Sequence, residues 1–356
     1  MDAAAWHMQA MTPPPELPDP MTKAQWSAWS ETARASYVRA FRVAMRARPF
    51  ASPIHERVAE RMTASLGSAL LEPAGARTIL ALSAPFSAGK STMVKAWAQH
   101  LHRSVLAGSA PEFLPRWNPT PGLSADTVPV SYVTLLSDSR GTDLYAQLLN
   151  FANKDAGGSV RAVVQFAIRA LKTHGTRLVV IDDAHMLRTT SVTGRATLNA
   201  LKHLNTELGE LGGVLVLVGA DLTGGDVLAD PQIRGRLAQH TFGPYEIDTD
   251  DGRRAWQRFL KAAETTLLPY LPDNSPGDIA QGLAEYLWIR TTGFVGDASR
   301  LLIDGTCHAM NTGQRLDRFA MDPVAVSQRA HDAQQRVELL RRPLALAGPS
   351  AGGEDE

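Results

Sequence analysis

A single cysteine, Cys307, stands in 356 residues. One thiol excludes an intrachain disulfide framework and a cysteine-rich zinc site, and it fits a reducing compartment. No run of about 20 apolar residues exists, so no transmembrane helix and no membrane partner is expected. The start of the sequence lacks the basic-then-apolar pattern of an export signal. These absences predict a soluble, cytoplasmic chain. An excess of one charge is missing too, because 36 basic residues balance 36 acidic ones. A nucleic-acid surface would therefore have to be a local patch. There is no tandem repeat, no His/Cys/Asp grouping with metal-ligand spacing, and no Gly-x-Ser-x-Gly or Cys/His nucleophile arrangement.

What is present divides by pattern. Residues 1–22 carry Pro13-Pro14-Pro15, Pro18 and Pro20 and read as a disordered leader. Residues 23–72 read as a helical N-terminal extension. There Trp26, Trp29, Tyr37, Phe41 and Met45 recur at roughly helical spacing among Arg34, Arg39, Arg42, Arg46 and Arg48, and a second helix follows Pro49 and Pro53. Residues 73–248 alternate strand and helix signals, with apolar runs at 77–83, 128–136, 177–181 and 213–218 and a fifth strand expected at 241–247. The proline-rich stretch 109–127 reads as an irregular insertion. Such alternation predicts an α/β core, a parallel sheet covered on both faces. After residue 249 strand signals stop, so 249–342 reads as an all-helical lid and the Gly/Ala/Pro-rich stretch 343–356 as a disordered tail.

The chemistry is concentrated after the first strand, in Ala84-Pro85-Phe86-Ser87-Ala88-Gly89-Lys90-Ser91. This is the P-loop pattern G-x-x-x-x-G-K-[ST] with alanine at its first position, followed by a helix as the motif requires. Backbone amides of the loop and the helix N-terminus favour a polyphosphate. Pro85, Phe86, Ser87, Ala88, Gly89, Lys90, Ser91 and Thr92 are thus the expected ATP-binding residues. Gly89 lets the backbone approach, Lys90 brings positive charge to the β- and γ-phosphates, and the Ser91 hydroxyl is an expected Mg²⁺ ligand. The third apolar run ends in Asp182-Asp183. Asp182 is expected to hold Mg²⁺ through water, and Asp183 to orient the attacking water. Related ATPases usually carry Glu at the second position, so the shorter Asp183 predicts slow hydrolysis. His185 reads as a positioning or packing residue ahead of a catalytic one, and Trp97 and Trp256 read as packing.

The P-loop, the strand-end acid pair and the helical lid together resemble the AAA+ class of ATPases. That resemblance implies a three-layer α/β sandwich. It also implies an arginine just before the fifth strand that reaches the nucleotide of a neighbouring subunit, with Arg236 the first candidate and Arg234 the second. Gly296-Asp297-Ala298-Ser299-Arg300 resembles the lid motif whose arginine touches phosphate, with the arginine one position late. The polar sensor expected after Gly213–Gly219 is replaced by Ala220 and Asp221.

Three further stretches resemble the TniB/TnsC-type transposition ATPases, relatives of IstB and MuB: Ile181-Asp182-Asp183-Ala184-His185-Met186-Leu187, the Leu198–Leu208 run LNALKHLNTEL, and Leu217-Val218-Gly219 leading to Asp230-Pro231-Gln232-Ile233-Arg234-Gly235-Arg236. The likeness spans about residues 45–305. It implies homo-oligomeric rings or filaments on duplex DNA, held by phosphate contacts, that recruit or activate a transposase and meet a target-selection protein. Arg140, Lys154, Arg161 and the arginines of the N-terminal extension are the DNA candidates. A helicase-loader or initiator ATPase, and a nucleotide-dependent signalling or defence switch, are the alternatives.

Overall fold

The computed structural model describes residues 1–136, 139–187, 192–222 and 230–341. Contacts divide the chain into two units: Met1–Leu17 with Val43–Gly243, and Pro18–Arg42 with the described residues from Pro244 onward.

The first unit begins with α1 (Ala3–Met11), which the Asp2 carboxylate caps by accepting the Ala5 amide at 2.8 Å. Residues 1–22 were expected to lack order, but α1 buries Ala3, Trp6, His7 and Ala10. These positions fall on one helical face, and the proline run after Thr12 ends the helix. Helix α2 (Lys23–Ala28) and most of α3 (Glu31–Ala47) belong to the second unit, and the first resumes at Val43 and continues with α4 (Pro53–Leu70), which has proline in its first turn. Next come β1 (Ile79–Ser83) and α5 (Lys90–Val105). The stretch expected to be irregular holds a hairpin, β2 (Arg116–Thr120) and β3 (Leu123–Asp126), turning at Pro121-Gly122 with Gly122 at φ 80°. The chain continues through β4 (Val130–Thr134), α6 (Gly141–Phe151), α7 (Val160–Thr173), β5 (Leu178–Asp182), a single 3₁₀ turn at Ala184–Met186, α8 (Val192–Glu210), β6 (Val214–Gly219), α9 (Pro231–Arg234) and β7 (Leu237–Thr241).

Five strands form one parallel sheet in the order β4-β5-β6-β1-β7. Helices α4 and α5 pack together and on the strands, and α1 packs on α5. Helices α6, α7 and α8 pack on one another, with α6 against β4 and α8 against β6. Covered in this way, β1, β5 and β6 are buried at every residue, which is why they read as unbroken apolar runs. Each buried Val, Leu or Ile side chain among them contributes about 1.5–3 kcal/mol of burial before ordering entropy is subtracted. The fifth strand lies at 237–241 rather than the expected 241–247. It is the sheet's edge, pairs among the described residues with β1, and is exposed or half-buried except at His240, so Leu237-Ala238-Gln239-His240-Thr241 needs no apolar run.

The second unit is helical beyond residue 249: α10 (Asp250–Leu267), α11 (Ala284–Thr291), α12 (Val295–Thr312), α13 (Arg318–Met321) and α14 (Gln328–Arg341). Its aromatic core includes Tyr245, Trp256 and Phe259, and the Trp256 indole donates to the Ala284 carbonyl at 3.0 Å. Buried Glu264 accepts the amides of Gly277, Ile279 and Ala280 and binds Lys261, which fixes the turn before α11. In α2 and α3, Trp26 and Trp29 meet Tyr37 edge-on. Two of the arginines there have internal partners: Arg34 donates to the carbonyls of Trp26 and Ser27, and Arg42 forms an ion pair with Asp304 at 3.3 Å. The tail expected at 343–356 lies outside the described residues. Among the described residues no helix is long and apolar enough to cross a membrane.

Candidate nucleotide-binding site

Strand β1 has β6 on one side and β7 on the other, and the loop at its carboxyl end sits where parallel α/β sheets bind ligands. Ala84 at the loop entrance is buried, donates its amide to the Gly219 carbonyl at 3.3 Å, and keeps a φ outside the left-handed region. Glycine is therefore not required at that position. Pro85, Phe86 and Ser87 are exposed, and Ser87 and Gly89 turn through φ 64° and 89°. Gly89 stands at the N-cap of α5 without a side chain to satisfy the first amides. Those unsatisfied donors and the helix dipole favour an anion there. Lys90, only 7% exposed, directs its ammonium at the Phe86 ring 5.0 Å away, and Ser91 and Thr92 follow in the first turn. His55 of α4 supports the loop from behind by donating from Nε2 to the Ala88 carbonyl at 2.9 Å. Burial lowers its pKa against the opposing pull of that bond, so the ring is neutral.

Asp182 ends β5 and is 3% exposed. Its Oδ1 accepts the Asp183 amide at 2.9 Å, and its Oδ2 accepts the Tyr132 hydroxyl at 2.6 Å. Burial first, and the Asp182 charge second, push the Tyr132 phenol far above its usual range, so it stays a donor. Asp183 sits at φ 55°, a left-handed conformation that Asp tolerates better than most residues, with its side chain 32% exposed. His185 accepts the Ala220 amide at Nδ1 (3.3 Å), which leaves the hydrogen on Nε2. Its ring meets Phe86 edge-on at 5.6 Å. Ala220 contributes this amide and no polar side chain. The Ser91 hydroxyl and the Asp182 carboxylate are hard oxygen donors that suit Mg²⁺, which takes one or two protein ligands and fills its shell with phosphate and water oxygens.

The arginines lie elsewhere. Exposed Arg234 and Arg236 precede the amino end of β7, and the Arg236 carbonyl accepts the Ile79 amide at 2.7 Å at the start of β1. The loop leaves the other end of β1, a strand length of roughly 17 Å away. One chain therefore does not bring them to its own loop. Asp230 caps α9 through the amides of Gln232 and Ile233 and binds Lys202 at 2.9 Å, while Asn205 donates to the Arg77 carbonyl at 2.8 Å. Lys202 and Asn205 of the α8 motif are thus fasteners. Arg300 is exposed on α12 in the second unit, 3.8 Å from Asp304. The neighbouring Asp297 is instead bound by Arg329, whose guanidinium also lies 3.5 Å from the Phe294 ring centroid. Sequence reasoning missed Tyr132 and His55, because neither belongs to a motif and their partners lie 50 and 33 positions away.

Three solved structures share this architecture. They are the Aeropyrum pernix ORC1 protein in complex with DNA (17% identity, TM-score 0.52, covering 85% of this chain and 67% of that one), Drosophila ORC bound to DNA (15%, 0.52, 94% and 73%), and the Aeropyrum pernix ORC2 protein with ADPNP and ADP (13%, 0.50, 83% and 73%). At such identities the likeness concerns the fold, which is that of the AAA+ P-loop class. No curated protein matches the sequence. The family model described as Bacterial TniB protein matches residues 53–247, and the chain belongs to that family.

Proposed function

We propose that this chain is an ATP- and Mg²⁺-dependent regulator of DNA transposition that assembles on duplex DNA and recruits or activates a transposase. One observation carries the reading: in a chain of the TniB family, an uncapped helix N-terminus with buried Lys90 sits at the carboxyl edge of a parallel sheet that also presents Asp182 and Asp183. In this reading residues 85–92 cradle the phosphates and Lys90 neutralises them. Ser91 and, through water, Asp182 would hold Mg²⁺, which would supply positive charge to the β- and γ-phosphate oxygens. Asp183 orients water, and its short side chain makes turnover slow. Arg236, with Arg234 as second choice, completes the site of an adjacent copy, and the roughly 17 Å that separates Arg236 from its own loop supports a role in trans. Arg300 is the lid residue that contacts phosphate.

DNA contact is to phosphates, and so falls with salt. Exposed Arg140, Lys154 and Arg161 are the candidates, joined by Arg169 and Lys172 on the same exposed face of α7 as Arg161. Internal bonding of Arg34 and Arg42 weighs against the N-terminal extension as the DNA surface.

The test images purified protein mixed with duplex DNA and Mg²⁺, with ATP, a non-hydrolysable analogue or no nucleotide, and Lys90→Ala as control. Nucleotide-dependent rings or filaments on DNA, lost in Lys90→Ala, are expected. Nucleotide binding without assembly on DNA would refute the mechanism for the isolated protein. The fold shared with ORC proteins supports the second reading, an initiator or loader, which predicts capture of a replicative helicase in place of a transposase.

A further inference from the structure

The first helix of the chain packs against the ring of Tyr132. Trp6 of α1 is wholly buried and stacks on Tyr132, with ring centroids 5.1 Å apart and planes 16° from parallel. The Trp6 indole donates to His102 Nδ1 at 3.2 Å. That bond sets the tautomers beyond it. With Nδ1 accepting, His102 carries its hydrogen on Nε2 and donates to His7 Nδ1 at 3.0 Å. His7 then donates from Nε2 to the Ala110 carbonyl at 2.9 Å. Every nitrogen in the row is satisfied with both imidazoles neutral, so α1 is seated in one defined position on α5 and β4.

At the other end of the row stands the acid. The Asp183 amide and the Tyr132 hydroxyl each take one lone pair of the Asp182 carboxylate, one on each oxygen. Of about four acceptor sites on a carboxylate, roughly two are left for other donors. Two bonds on two oxygens stop the group from turning about its Cβ–Cγ bond, so the remaining lone pairs keep one direction. A carboxylate that must meet a metal-bound water gains affinity from being fixed beforehand. A phenylalanine at 132 would fill the same space and stack on Trp6 equally well. The hydroxyl is the part that acts on Asp182.

We infer that α1 is a clamp on the metal-holding acid: Trp6 sets Tyr132, and Tyr132 sets the Asp182 carboxylate for the Mg²⁺-nucleotide complex. The inference rests on the nucleotide-site reading above. Tyr132 and Trp6 are positioning residues and touch no substrate. The clamp acts on the metal arm of the site and leaves the phosphate cradle of Gly89 and Lys90 alone. Losing one hydrogen bond to a charged acceptor corresponds to roughly a tenfold change in an equilibrium.

The test uses the full chain and a fluorescent ATP analogue, titrated first in EDTA and then at rising Mg²⁺, with thermal melts to establish folding. Tyr132→Phe is expected to bind the analogue in EDTA as wild type does and to need about tenfold more Mg²⁺ to reach the metal-bound affinity. Trp6→Leu is expected to shift the Mg²⁺ midpoint in the same direction, and the double variant to shift it no further than Tyr132→Phe alone. A general packing defect would weaken binding in EDTA and in Mg²⁺ alike. Should Trp6→Leu fail to fold, Tyr132→Phe alone decides. An unchanged Mg²⁺ midpoint in Tyr132→Phe overturns the clamp and leaves the nucleotide site standing. A wild-type chain that binds no nucleotide overturns the site and the clamp together.

Discussion

Replacing Gly89 with alanine tests how the phosphate loop is built. The backbone there has φ 89° and ψ 15°, where a Cβ costs about 1 kcal/mol. The added methyl would also lie 2.9 Å from Cε1 and 3.3 Å from Nε2 of His55. That ring cannot swing away freely, because Nε2 is bonded to the Ala88 carbonyl at 2.9 Å and the ring meets Phe242 edge-on. Moving it breaks the bond, at a further cost of about 1 kcal/mol. Gly89→Ala should therefore destabilise the chain by about 2 kcal/mol in the wild-type background and by about 1 kcal/mol in His55→Ala, where only the backbone cost remains. Urea unfolding of the four proteins measures the difference, provided the m-values agree. Nucleotide binding should fall in both alanine variants, since the cradle shifts in either case. Equal destabilisation in the two backgrounds would refute the idea that His55 supports the loop.

Other perturbations read other parts of the molecule. Burial, reinforced by His7 and Arg103, lowers the His102 pKa from 6.5 to about 4. Between these values the unfolded chain binds a proton that the folded chain does not, so stability should fall as pH drops from about 6.5 to 4, by on the order of 2 kcal/mol. The same slope in His102→Gln counts against that assignment. Asp183→Glu should raise ATP turnover while costing up to about 1 kcal/mol of stability, because Glu suits the left-handed backbone at φ 55° less well than Asp. Turnover equal to the wild type's would remove side-chain length as the reason for slow hydrolysis. Arg236→Ala should leave nucleotide affinity of the isolated chain unchanged and depress hydrolysis at least tenfold in the assembled state. A loss of affinity in the monomer would place Arg236 at its own site.

The parallel core was legible because its central strands are buried on both faces, and burial on both faces writes an uninterrupted apolar run into the sequence. The loop proposed to hold phosphate could be proposed from sequence because its motif is confined to eight consecutive residues. Strand β7 was misplaced because an edge strand needs no such run, and the hairpin β2–β3 was hidden by Pro119 and Pro121, which mark breaks in most contexts. Helix α1 was lost beside its prolines, although Ala3, Trp6 and Ala10 carry its apolar face. The supports of the site, His55 and Tyr132, were invisible for another reason: each is an ordinary packing residue until the fold brings its partner near. The lid motif shows the same difficulty, since Asp297 is spoken for by Arg329 from a helix 32 positions on, which no local spacing reveals.

The strand order has a consequence for synthesis of the chain. Strand β1 lies between β6 and β7, and both follow it by more than a hundred positions. As the polypeptide leaves the ribosome, the strand that launches the phosphate loop has no partner on either side until Val214–Gly219 has emerged. It remains an open edge, liable to pair with another nascent chain, until Leu237–Thr241 closes it. Competence for nucleotide is thus a late event in the life of each molecule. Truncated translation products ending before residue 237 should aggregate rather than compete for ATP.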